Sequence, residues 1–209
     1  MRRLFDCFYA PYAALMLALL IPLVCVAVIA GRTLASRRAI GRRGVRLMLA
    51  AIAAPVRVRG LENLPDGPGI VVCNHASYLD GIVMTAALPP HYSFVVQDGA
   101  AGWPLVGRCL NAMGVIFVNR REARAGARTT RELMRRLHGG ESLVIFAEGT
   151  FKPEPGLLPF KVGAFLMAAR CGVPVVPAAI RGSRRLYGGG RWLPRWSALD
   201  IFLVVRVVG

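Results

Sequence analysis

The chain has 209 residues, with 27 Lys and Arg against 11 Asp and Glu, a formal net charge of +16. The length suits one domain with a real core. The positive mean hydropathy points to a membrane segment, and the charge points to anionic partners: phospholipid surfaces, phosphorylated substrates, coenzyme A or nucleic acid. The five cysteines, Cys7, Cys25, Cys73, Cys109 and Cys171, are scattered. With no C-x-x-C pair and no Cys/His cluster they read as free thiols in a reducing compartment, not as a disulfide framework or zinc site.

From Ala10 to Ala30 no residue is charged. About 20 such residues reach across a hydrocarbon core of about 30 Å, with a kink expected at Pro22. A cleaved signal peptide competes, with Arg2 and Arg3 as its basic start, but its apolar stretch is usually shorter, about 7–15 residues. Arg32, Arg37, Arg38, Arg42, Arg43 and Arg46 follow the apolar run. If the run spans, this asymmetry places the rest of the chain in the cytoplasm, at the inner membrane. Residues 34–54 read as a second helix whose arginines could meet lipid phosphates in the headgroup layer, or as a plain juxtamembrane linker. The expected division is therefore 1–54, membrane-embedded helices, and 55–209, a folded domain.

Beyond Pro55 short apolar runs alternate with helical stretches. Strands are expected at Val56–Val58, Ile70–Cys73, Phe94–Val96, Val115–Val118, Leu143–Phe146, Val173–Ala179 and Ile201–Val208. Helices are expected at Leu79–Leu88, Pro104–Met113, Ala125–Leu137 and Val162–Arg170. The alternation argues an α/β fold, a mixed and largely parallel sheet flanked by helices.

Four blocks carry chemistry. Asn74-His75-Ala76-Ser77-Tyr78-Leu79-Asp80 follows the Ile70–Cys73 run, where α/β proteins place their sites. His75 can take a proton from a hydroxyl, and Asp80 can turn back to fix its tautomer. Spacing alone equally allows Asn74 or Ser77 to be a helix cap, with His75 at the surface. The run Gly114–Val118 leads to Arg120, a planar donor suited to phosphate, or part of a solvated patch with Arg121 and Arg124. In Glu148-Gly149-Thr150, backbone N–H groups of the turn could hold an anion, and Glu148 could bond a substrate hydroxyl or brace Arg120. Lys161 opens a helix in Pro159-Phe160-Lys161-Val162-Gly163. After it, Pro174-Val175-Val176-Pro177 suits a strand near the sheet edge. Cys73, two residues before His75, is a candidate acyl carrier or a buried apolar residue.

In this order and at this spacing the four blocks resemble the glycerolipid acyltransferase family, of the 1-acylglycerol-3-phosphate acyltransferase type, over about Pro55 to Arg185. The resemblance implies an O-acyltransferase that moves a fatty acyl chain from acyl-CoA or acyl carrier protein to lysophosphatidic acid in phospholipid biosynthesis. It implies His75 and Asp80 as catalytic residues, and Arg120, Glu148, Gly149, Thr150 and Lys161 around the glycerol phosphate. No metal or other cofactor is expected; the thioester is a co-substrate. The expected partners are an anionic phospholipid membrane, the lysophospholipid and the donor, without nucleic acid. It also implies a helical pair buried in one face of the bilayer, an alternative to a full span. Gln97 stands where many members have Lys, and Phe151 and Lys152 where many have Arg or Ser, which leaves the headgroup open to another lysolipid, such as an amino-acid-based one. A non-catalytic membrane scaffold would leave the four blocks idle. A nucleic-acid module has no recognition motif here, and no G-x-S-x-G elbow indicates a serine hydrolase.

Overall fold

A computed structural model of the chain describes residues 2–118, 123–188 and 193–204. Within them one sheet contains β1 (Val56–Arg59), β2 (Ile70–Cys73), β3 (Tyr92–Gln97), β4 (Ile116–Val118), β5 (Ser142–Phe146), β6 (Val175–Arg181) and β7 (Leu199–Leu203). Their order is β1-β7-β6-β2-β5-β3-β4. From β6 to β4 all neighbours are parallel, whereas β7 runs antiparallel to β6 and parallel to β1. The sheet is mixed and largely parallel, as its sequence pattern implies. The helices are α1 (Arg2–Ala30), α2 (Leu34–Ala51), α3 (Asp80–Ala87), α4 (Pro104–Ala112), α5 (Ala123–His138), α6 (Gly163–Cys171) and the short α7 (Ser183–Leu186).

Strand alternation divides the core into two layers. Val71 and Cys73 of β2 face a cluster with Val83, Met84 and Ala87 of α3 and Tyr9, Val45 and Leu49 of the first two helices. Ile70 and Val72 face the opposite way, toward Leu133 and Leu137 of α5 and Met167 of α6. All four β2 residues are buried, so their unbroken apolar run is the signature of a strand covered on both faces.

The first two helices form an antiparallel pair. Tyr9 donates its hydroxyl to Ile52 O at 2.8 Å and Tyr12 to Ala51 O at 2.6 Å. Farther along, a Cβ at Gly44 would stand 2.6 Å from a Val24 methyl, so only glycine permits this close helix approach. α1 is unbroken through Pro11 and Pro22. One of its faces packs on α2 and, through Cys25 and Val28, on Cys109 of α4. The other carries Phe5, Phe8, Tyr12, Leu15, Leu19, Leu23 and Val26, all exposed at helical spacing. Phe5–Ala30 is long and apolar enough to cross a membrane.

Two expectations need correction. Arg38, on the same face of α2 as Arg42 and Arg46, turns into the protein and not toward lipid phosphates, while Arg46 and Arg43 remain exposed. Arg38 is buried, donates to Met113 O at 2.9 Å and pairs with Glu141 at 2.9 Å. Arg42 and Arg46 donate to Ala87 O at 3.4 Å and Ala86 O at 3.0 Å, at the end of α3 whose last carbonyls lack helical partners. The strand holding Pro177 is also interior, not at the edge. Pro177 O accepts from Val204 N at 2.9 Å, so its missing N–H faces β7 at the end of the ladder, just past the last paired residue, Leu203, and only the terminal reciprocal bond is forgone.

Candidate active site

The parallel strands end on one edge, and the sequence blocks gather there. Cys73 of β2 is in register with Phe146 of β5 on one side and Ala178 of β6 on the other. Asn74 continues β2 with its side chain: Nδ2 donates to Ile180 O at 3.1 Å and Oδ1 accepts from Ile180 N at 2.7 Å. The amide thus replaces a rung of the ladder and leaves the chain free to turn outward at His75.

His75 Nδ1 lies 2.8 Å from Asp80 Oδ2. The same oxygen accepts from Ala76 N at 2.6 Å and Ser77 N at 2.9 Å, so one carboxylate oxygen folds the loop and orients the ring. Asp80 is fully buried, whereas the His75 side chain keeps 18% of its exposure. The ring stacks on Phe146 at 4.4 Å and meets the edge of Phe151 at 4.8 Å. With Nδ1–H directed at the carboxylate, Nε2 carries the lone pair for a substrate proton.

Glu148 has a task that the sequence reading did not expect. Its Oε1 accepts from His75 N at 2.7 Å and its Oε2 from Leu158 N at 2.6 Å. The buried carboxylate therefore ties the His75 loop to the segment that follows the Glu148-Gly149-Thr150 turn. Gly149 adopts φ +74°, and a Cβ there would stand 3.1 Å from Lys161 Cε and Nζ, which places the ammonium against the turn. Gly149 N is spent on Phe146 O at 2.9 Å, and Thr150 is exposed. Arg120 lies outside the described residues. β4 ends at Val118, parallel to β3 and β5, so the chain leaves it at the His75 edge.

Cys73 is 1% exposed within the core, and burial, with Asp80 and Glu148 nearby, holds its thiol well above the ordinary range. A neutral, enclosed thiol is a poor nucleophile, which removes the acyl-cysteine route. Sequence reasoning missed Phe146 and Phe151, whose part depends on contacts across the sheet edge, and Arg184, whose Nη1 donates to Lys152 O at 2.9 Å and Pro153 O at 3.1 Å. An aromatic directly after Glu-Gly-Thr was the available signal for Phe151.

A buried carboxylate orienting a partly exposed imidazole at a parallel-sheet edge is an arrangement that can act as a general base. The Acyltransferase family model matches residues 55–181, and the chain belongs to that family. It is 37% identical over 135 residues to a chloroplastic 1-acyl-sn-glycerol-3-phosphate acyltransferase of Brassica napus, covering 64% of this chain and 39% of that protein. With the 1-acyl-sn-glycerol-3-phosphate acyltransferase of Neisseria meningitidis it shares 32% identity over 137 residues, covering 65% and 52%. A lysophosphatidylcholine acyltransferase of Drosophila melanogaster is 35% identical over 119 residues, 56% of this chain and 21% of that one. The chain thus spans only part of the length of these relatives. The crystal structure of the 1-acyl-sn-glycerophosphate acyltransferase PlsC from Thermotoga maritima matches with TM-score 0.80 at 24% identity, covering 100% of this chain and 87% of that one, and shows the shared fold.

Proposed function

We propose that this chain is a 1-acylglycerol-3-phosphate O-acyltransferase, transferring a fatty acyl chain from acyl-CoA or acyl carrier protein to lysophosphatidic acid to make phosphatidic acid. The observation that carries this reading is the His75–Asp80 pair, with Nε2 left for a hydroxyl beside the Glu148 turn. His75 Nε2 takes the proton of the glycerol hydroxyl, whose oxygen attacks the thioester carbonyl. A C–O bond forms, the tetrahedral adduct collapses, and the C–S bond breaks. The imidazolium, held against the Asp80 carboxylate, returns its proton to the leaving thiolate. Glu148 positions the His75 backbone, while Lys161, Gly149, Thr150 and Arg120 serve the acceptor phosphate and glycerol.

The acceptor is tested by competition between lysophosphatidate and lysophosphatidylcholine at matched surface density. Lysophosphatidate is expected to win, and Arg120→Lys, which keeps charge but loses the two-pronged guanidinium contact, to raise its KM. A charge-assisted bond of about 1.5–3 kcal/mol sets the scale at about 10- to 150-fold. Equal use of both lipids, with Arg120→Ala harmless, would transfer the assignment to another lysolipid. The Drosophila relative's name makes that the second reading.

The exposed apolar stripe of α1 supports embedding in one leaflet of an anionic membrane, since its opposite face is already occupied by α2 and α4. The arginines after α1 suit an anionic leaflet, as at the cytoplasmic face of the inner membrane. Apolar burial is not screened by salt, so attachment to anionic vesicles is expected to persist in a 1 M salt wash. Release of the whole chain by salt alone would show that the stripe lies outside the bilayer.

A further inference from the structure

Beside the catalytic loop, on its β6 side, lies a cleft of about 330 Å³. Asn74 and Ala76, which bracket His75, line it together with Ile180, Arg181, Ser183, Arg184 and Leu157. Both sides are fastened to α7 or to Tyr187, the residue that ends it. Arg184 grips the facing segment through the carbonyls of Lys152, Pro153 and Glu154, and Ser77 of the catalytic loop donates its hydroxyl to Tyr187 O. The width of the cleft is therefore set before any substrate arrives, which lowers the ordering cost of binding.

Most polar groups inside are already engaged: Asn74 uses both amide atoms on Ile180, and Arg184 Nη1 donates to three carbonyls, whereas Ser183 Oγ is buried with no hydrogen-bond partner among the described residues. A phosphate monoester seated among them would lose water while Arg184 is occupied and Arg181 stands exposed, whereas an uncharged amide could bond Ser183 Oγ. The cleft suits a narrow, uncharged chain. Arg181, exposed at the end of β6, provides a cation at the mouth. On the opposite side of β2, Lys161 stands against the Gly149 turn and offers a cation for a phosphate.

We propose that this cleft seats the pantetheine arm of the thioester donor, sulfur toward His75 and the arm's phosphate at Arg181. This rests on the acyl-transfer reading and assigns the donor and acceptor to opposite flanks of the imidazole. The arm is common to coenzyme A and to a carrier protein, and the cleft accepts it from either.

The test places a reporter in the wall. Leu157 is exposed, and Leu157→Cys in the full chain on vesicles is alkylated with a maleimide and read at that peptide by mass spectrometry. Desulfo-coenzyme A, which has no thiol to consume the reagent, is expected to slow labelling about tenfold or more near saturation. Protection only by a carrier protein with an alkyl-capped arm would keep the site and make the protein its source. Protection by lysophosphatidate instead, or by none of these, would overturn the assignment. In parallel, Arg181→Glu is expected to raise the donor KM about tenfold, the effect of one lost charge-assisted contact, with the acceptor KM unchanged. Acyl transfer by the unsubstituted chain is measured alongside. Transfer without protection rejects the cleft alone, whereas no transfer rejects the acyl-transfer reading.

Discussion

His75→Ala is expected to lower acyl transfer by about 10²–10⁴-fold, the usual contribution of a positioned general base. The structure explains why the loss should be chemical and not structural. The contact that locates residue 75 is made by its backbone N–H to Glu148 Oε1 at 2.7 Å, and alanine keeps it. Asp80 retains Ala76 N and Ser77 N as donors, so the loop stays folded. What disappears is the ring between Phe146 and Phe151 and the lone pair on Nε2. Transfer from thioester to lysophosphatidate, measured at saturating concentrations of both, checks this together with membrane attachment. A near-normal rate would remove His75 from the mechanism.

The substitutions at Asp80 are expected to separate two roles of one carboxylate. Three donors converge on Oδ2: the imidazole at 2.8 Å, Ala76 N at 2.6 Å and Ser77 N at 2.9 Å. Oδ1 is buried without a hydrogen-bond partner among the described residues. In Asp80→Asn the amide oxygen can take the place of Oδ2 and keep all three bonds, with the NH₂ in the place of Oδ1. The tautomer then survives, and the loss is confined to the negative charge that stabilises the imidazolium. This corresponds to a fall of about 10- to 150-fold, from a charge-assisted hydrogen bond worth about 1.5–3 kcal/mol. A reversed amide, which would force the wrong tautomer, predicts a loss nearer 10⁴-fold. Asp80→Ala leaves two backbone donors of the loop without an acceptor and is expected to cost several kcal/mol of stability, at about 1–3 kcal/mol for each buried unsatisfied group. Thermal unfolding and kcat for the two variants distinguish these cases: Asn impaired but folded, Ala impaired and less stable. Equal stability of both would contradict the structural role of Oδ2.

Much of the architecture was legible because local pattern and tertiary environment agree. The all-apolar Ile70–Cys73 run is a doubly covered strand, and the 3.6-residue apolar spacing of α1 is its outward stripe. The pairing of His75 with Asp80 was legible because five residues of turn and helix start can bring them together. What sequence could not show depends on long-range partners. Nothing in the order of residues says that Glu148 reaches His75 N and Leu158 N across the ends of two strands. Arg38 sits in an arginine-rich helix like any headgroup ligand, and only the packed structure supplies Met113 O and Glu141 to it. Pro177 reads as an edge residue until the antiparallel β7 is seen to stop paired bonding at Leu203. α7 is four residues long, too short for any periodicity, although it and Tyr187, the residue that ends it, fasten both sides of the cleft beside His75.

Direct transfer from a thioester to a lysolipid hydroxyl is measured by incubating the purified chain in anionic vesicles with acyl-CoA and lysophosphatidate while following free thiol and phosphatidate together. One phosphatidate is expected for each thiol released, with thiol release dependent on the lysolipid and absent in His75→Ala. Thiol release that proceeds without the lysolipid and yields free fatty acid, or no transfer to any lysolipid offered, would contradict it.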